Sequence, residues 1–294
     1  MSNGSRTAPA LRRSLRRLIV IGVAALALPL GATLASAASI SVTATIRDMS
    51  SAHPDFESFI GNETGIVLNT LGNDGKPVYN VAAKGLTGAF SSTTTGQANF
   101  NQWYNDVPGV NHTFTTSLVA TETFAGSGIY QYANASYFPI DGLGFGNQGN
   151  PNNFHFTTEI HTSFTYQGGE TFSFTGDDDV WVFINGILAI DLGGVHGPAT
   201  GSVSLDAAAA TLGIATGNNY DLAIFQAERH TFGSTFNFTT SIVLVDAAEV
   251  PEPGALPPVL LTRARSAPRS CPRCVPPAGA SGAQTSSGWH GPAR

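Results

Sequence analysis

Three consecutive carboxylates, Asp177, Asp178 and Asp179, stand directly before the most apolar stretch of the chain, in FTGDDDVWVFINGILAIDLGGVH (174–196). Adjacent ionised carboxylates repel one another and lose water where a buried strand begins. A divalent cation removes both costs, because Ca2+ takes about six to eight hard oxygen ligands and cancels the local charge. The alternative is a solvated turn in which each aspartate accepts hydrogen bonds from nearby backbone N–H groups. Asp141 and Asn147, in the Gly/Asn-rich tract upstream, are further candidate oxygen donors. Asp191, after the apolar stretch, reads as a turn residue.

Other groups with chemical potential are weaker. Glu228 and Arg229 are adjacent and expected to pair locally, and His230 begins a turn. None of the seven histidines shows the H-x-x-x-H or H-E-x-x-H spacing of a zinc site, and no G-x-S-x-G elbow is present. A glycosidase would need paired carboxyl groups about 5 to 10 Å apart across a cleft, such as Asp177 or Asp179 with Glu228. Nothing in the sequence places them so, and no catalytic residue is assigned. Cys271 and Cys274 form a lone C-P-R-C without a second ligand pair.

The elements that must hold these residues read as strands. Val180–Ile184 and Ile187–Ile190 flank Asn185-Gly186, the pair preferred in two-residue hairpin turns. Apolar residues at every position of that hairpin imply cover on both faces. A second hairpin is expected from Tyr220–Ala227 to Thr235–Ile242, where Phe236, Phe238, Thr240 and Ile242 alternate with polar residues. Ala207–Ala210 is the one helix-like patch. The sequence reads as one all-β domain, a single antiparallel β-sandwich.

Both ends differ from the middle. Residues 1–37 combine arginines, an apolar run and Ala35-Ser36-Ala37, the pattern of a secretory signal peptide. Residues 38–248 form the expected domain, and residues 249–294 a Pro/Ala/Ser/Arg-rich tail of disordered composition. Of the 14 basic residues only Arg47, Lys76, Lys84 and Arg229 lie between 38 and 248, against 18 of the 20 acids. That region carries a net charge of about -14, which disfavours nucleic acid and favours cations.

The blocks RDMSSAHPDFE, TGIVLNTLGNDGKPVY, NQWYNDVPGVN, YFPIDGLGFG, NNFHFTTEIHTSFTY, FTGDDDVWVFINGILAIDLGGVH and YDLAIFQAERHTFGSTFNFTTSI resemble the fibro-slime domain, in family order across residues 42–245. Fibro-slime domains are similar to the protective-antigen-like, jelly-roll type β-sandwich, whose members include calcium-dependent sugar-binding adhesins. The resemblance implies a Ca2+ cofactor with ligands among Asp177, Asp178, Asp179 and Asp141. Asp179 stands where the broader family often has Gly, which leaves open which two aspartates bind. It further implies sugar contacts at Asp177, Asp178 and Asn147, with Trp103 or Tyr104 stacking on the sugar unless the tryptophan is buried in the core. Val250-Pro251-Glu252-Pro253 resembles the bacterial PEP-CTERM sorting signal, although Pro257 and Pro258 break the apolar run that should follow. The implied protein is secreted or at the bacterial cell surface and binds an extracellular glycan or polysaccharide in adhesion or matrix. Alternatives are a structural matrix or envelope protein and a glycosidase.

Overall fold

Asn185 and Gly186 take φ of 52° and 71°, the left-handed geometry of a tight hairpin turn that these two residue types tolerate. The chain reverses there, as the sequence predicts. This computed structural model describes residues 36–57, 60–82 and 92–246; the tail and most of the expected signal peptide lie outside them. Among the described residues no helix is long and apolar enough to cross a membrane.

The strands are β1 (Ser39–Met49), β2 (Gly61–Asn62), β3 (Val67–Leu71), β4 (Pro77–Tyr79), β5 (Asn111–Glu122), β6 (Tyr130–Asn134), β7 (Phe156–Thr165), β8 (Thr171–Gly176), β9 (Asp179–Ile184), β10 (Ile187–Leu192), β11 (Gly194–Val195), β12 (Ala199–Ser204), β13 (Asn219–Glu228), β14 (Phe236–Thr240) and β15 (Val245–Asp246). One layer runs β5-β1-β7-β13-β9-β10-β3-β4 and the other β12-β8-β14-β6. They meet at a corner where only Thr121 and Glu122 of β5 pair with Gln131 and Tyr130 of β6. The result is an antiparallel sheet curled into a β-sandwich. Among the described residues α1 (Gln97–Phe100) and α2 (Leu205–Leu212) accompany it, the second ending at Gly213 with φ 65°.

Two apolar clusters explain why β9 is buried at every position. Val180, Val182 and Ile184 face the sandwich interior with Ile160, Ile224, Phe172, Phe174, Phe236 and Phe238. Trp181 and Phe183 point the other way, into an outer layer of Phe56, Tyr79, Phe100, Trp103, Tyr104 and Phe225. The segments between β1 and β5 form that layer, so the strand has cover on both faces, as its unbroken apolar run requires.

The second expected hairpin does not form. β13 pairs with β7 and β9, β14 pairs with β6 and β8, and residues 229–235 cross from one layer to the other. The reason lies in the burial patterns: β13 is buried from Leu222 to Glu228, as a central strand must be, whereas β14 alternates. The crossing brings the end of β13, the start of β9 and the starts of β7 and β14 to one end of the sandwich, beside the Gly/Asn-rich loop.

Close packing at this end tests the arrangement. Gly194 has φ of 110°, and a Cβ added there would lie 2.3 Å from the Gly61 carbonyl oxygen and 2.5 Å from the Glu63 nitrogen. Gly194→Ala is expected to lower stability by about 1–3 kcal/mol. Gly197→Ala, which meets nothing within 4 Å, serves as control. Equal thermal midpoints for the two variants would contradict the packing.

Candidate functional site

Neighbouring residues on a strand point to opposite faces, and this alternation separates the three aspartates. Asp179 faces the outer layer and is fully buried. Its Oδ1 accepts from the Gly194 N–H at 2.6 Å, and its Oδ2 from Arg229 Nε at 2.6 Å. Arg229, also 0% exposed, donates from Nη1 to the carbonyls of Asp55 and Thr93, at 3.0 and 2.6 Å, and from Nη2 to the Thr93 hydroxyl at 3.1 Å. Its guanidinium lies 4.6 Å from the centre of the Trp103 ring. Burial pushes the Asp179 carboxyl up, but Arg229 carries a permanent charge that a neutral Asp179 would leave alone in the core, so the pair stays ionised.

The local Glu228–Arg229 pair expected from sequence is therefore absent. Arg229 turns outward to Asp179, and Glu228 turns inward. Glu228 is fully buried, and neither carboxyl oxygen has a hydrogen-bond partner; the buried Ser234 Oγ and His230 Nδ1 lack one too.

Asp177 and Asp178, joined by a cis peptide bond, face the loop end. Asp178 Oδ1 accepts from the His196 N–H and Oδ2 from the Arg229 N–H, both at 3.0 Å. Asp177 Oδ1 accepts from the Thr235 N–H. Backbone donors thus hold both side chains, as in the turn alternative, and they also line a cavity of about 160 Å³. Its rim carries Ile60, 66% exposed, and Phe232, 82% exposed. The His230 ring stacks under Phe232 at 5.1 Å and 11°. A large aromatic held rigid yet open to water beside two carboxylates is suited to the apolar face of a polar ligand.

The remaining expected site residues are placed elsewhere. Asp141 Oδ1 accepts from the Asn153 N–H, while Asn147 binds the Gly142 N–H and the Pro151 carbonyl, so both side chains brace their own loop. Trp103 is 0% exposed and donates its indole N–H to Asp55 Oδ2 at 3.1 Å; it has no face for a sugar. Tyr104 is buried beside it. Among the described residues no three His, Cys, Asp or Glu side chains already form a metal-binding group. Asp179 and Glu228 are both sealed from solvent, so the carboxyl pairs considered for glycoside cleavage do not flank an open cleft. Sequence reasoning missed Phe232, although a Phe between Thr231 and Gly233 in a crossing loop was the available signal.

Two consequences are measurable. Arg229→Met strands the buried Asp179 carboxylate and is expected to cost about 3–5 kcal/mol, part of which Asp179→Leu on the same background should restore. A double variant no more stable than Arg229→Met would contradict the pairing. The second concerns pH. Burial pushes Asp178 up to about 8, opposed by Arg229 and reinforced by Asp179 and Asp177; burial also raises Asp177, and raises Glu228 well above its usual range. Carboxyls raised in the fold keep a proton that the unfolded chain releases near pH 4. Their stabilising contribution is full below that value and is lost as pH rises through about 8. In chelator, the melting temperature should fall between pH 5 and about 8; a rise over that range would contradict the burial of these groups.

The family model of the PA14 domain matches residues 132–253. Protein psiR of Dictyostelium discoideum is 42% identical over 207 residues, covering 65% of this chain and 20% of that protein. Protein psiC of the same organism is 40% identical over 220 residues, covering 70% and 42%. The chain thus spans about a fifth of one of these relatives and about two fifths of the other. Neither is bacterial, so they lend no support to a bacterial cell surface. Among solved structures, a PA14 sugar-binding domain from an RTX adhesin is 11% identical, covers 70% of this chain and 96% of its own, and has a TM-score of 0.32. The PA14 domain of the MpAFP antifreeze protein is 12% identical over 42% of this chain and 78% of its own, with a TM-score of 0.26. The match to the PA14 family model runs over residues 132–253, and the observed antiparallel β-sandwich is consistent with it.

Proposed function

We propose that the chain is a secreted, Ca2+-dependent carbohydrate-binding domain acting in surface adhesion or extracellular matrix. One observation carries the reading: Asp177 and Asp178 line a small cavity at the loop end, and the rim of that cavity holds the exposed, His230-backed Phe232. The PA14 match supports the sugar part of it, and the signal-like residues 1–37 support export. The reading is supported by the hard carboxylate oxygens of Asp177 and Asp178 at the cavity, the donor type that calcium takes. A bound Ca2+ would supply coordination positions for vicinal sugar hydroxyls. Asp177 and Asp178 would hold it, and Phe232 would stack on the sugar's apolar face.

A glycan array probed with the full chain, in calcium and in chelator, tests this. Binding should vanish with chelator and with Asp178→Asn. Phe232→Ala should weaken it about tenfold, the worth of one aromatic contact. Release of reducing ends from any bound glycan would place the protein among enzymes. A calcium response without any glycan binding would favour a structural matrix role.

A further inference from the structure

Among the described residues the sheet begins where a cleavage pattern ends. β1 pairs with β5 from Ser39 opposite Thr121, and one step earlier the Glu122 N–H donates to the Ala38 carbonyl at 2.8 Å. Ala38 directly follows Ala35-Ser36-Ala37, the small-x-small pattern that signal peptidase reads. Ser36 and Ala37 precede the strand, and Ser36 is exposed.

The side chain across from Ala38 is a carboxylate. Glu122 Oε2 accepts from the Ala38 N–H at 2.9 Å and from the Gly126 N–H at 3.1 Å, and Oε1 accepts from the Gly128 N–H at 3.0 Å. The two glycines belong to the turn between β5 and β6, so they fix the carboxylate in place without neutralising it. These three N–H groups, that of Ala38 first, hold the Glu122 carboxyl below its usual range, and it is ionised at neutral pH. The basic side chains among the described residues, Arg47, Lys76 and Arg229, pair with Asp106, Glu159 and Asp179. None of them serves Glu122.

In the uncut chain Ala38 offers this carboxylate one amide N–H. Hydrolysis of the Ala37–Ala38 bond adds one water, leaves a carboxylate on Ala37 and turns that amide nitrogen into an ammonium, with its extra N–H donors and a full charge already at hydrogen-bond distance from Glu122. A charge-assisted bond of this kind is about twice as strong as a neutral one. Glu122 also stands at the corner of the sandwich, where it and Thr121 pair with Tyr130 and Gln131 of β6. We propose that signal peptidase cuts the Ala37–Ala38 bond and that Glu122 captures the released α-ammonium of Ala38, fastening the new amino terminus to the corner between the two layers. This rests on the export part of the proposed function and is independent of its calcium and sugar parts.

The full chain, with its own residues 1–37, is expressed in a bacterial host with a general secretory pathway, and the exported protein is analysed by mass spectrometry and by NMR titration of the Ala38 signals. The amino terminus should be Ala38, and its α-amino group should titrate above the value of about 7.7–8.0 ordinary for a chain terminus, because an opposite charge favours the protonated form. Glu122→Gln should return it to that ordinary value. Should Glu122→Gln not fold, about 1 M NaCl serves in its place, since salt at that level screens an exposed pair and should erase the shift. A terminus at Ala38 whose titration neither Glu122→Gln nor salt moves would overturn the capture and leave export standing. A chain that keeps Met1, or is cut at another bond, would overturn both.

Discussion

The buried ion pair between Arg229 and Asp179 is the constraint on which the rest of this end of the molecule depends. One guanidinium joins the start of β9, the carbonyls of Asp55 and Thr93 and the Trp103 ring, so it fastens the outer layer to the sandwich. Asp55 repeats the device on a smaller scale, accepting from the Trp103 indole and from the Thr95 N–H. Two charges out of water are tolerated only when such hydrogen bonds complete their shells. With Asp179 committed to structure, Asp177 and Asp178 are the two aspartates that remain for a ligand.

Strand alternation turns that local constraint into a division of labour. Asp179 and Arg229 lie on the outer face with Trp181 and Ala227, while Asp177 and Asp178 face the loop end and line its cavity. One face receives a balanced ion pair, and burial raises the carboxyls of Asp177, Asp178 and Glu228. Bases are few in this acidic domain, and two of them, Arg47 and Lys76, are gathered around Glu159.

Much of the fold was legible because it follows from local rules. The Asn185-Gly186 turn, the double-sided burial of β9 and the short helix around Ala207–Ala210 each follow from residue type and pattern over a few positions. The pairing partners of β13 and β14 were not legible: sequence proximity suggested a hairpin, while burial on all sides of β13 demanded neighbours from far along the chain. The candidate site shows the same limit. Three aspartates in a row announced an unusual place, but only the structure separates Asp179, paired with Arg229, from Asp177 and Asp178 at the loop end. Trp103 was drawn toward the sugar by its residue type and toward the core by its size, and the core won through the Arg229 and Asp55 contacts. Phe232 became visible only once the crossing loop was seen to lift it over the cavity.

The central claim is the proposed calcium site at Asp177 and Asp178, with Asp179 kept apart from it by Arg229. A crystal structure of the full chain grown in CaCl2, with anomalous data, tests it most directly. The account predicts an anomalous peak with oxygen ligands from Asp177 and Asp178 at about 2.3–2.6 Å, and an Asp179–Arg229 contact unchanged from 2.6 Å. A calcium-soaked crystal with no peak there, or with Asp179 drawn off Arg229 to become a ligand, would contradict it.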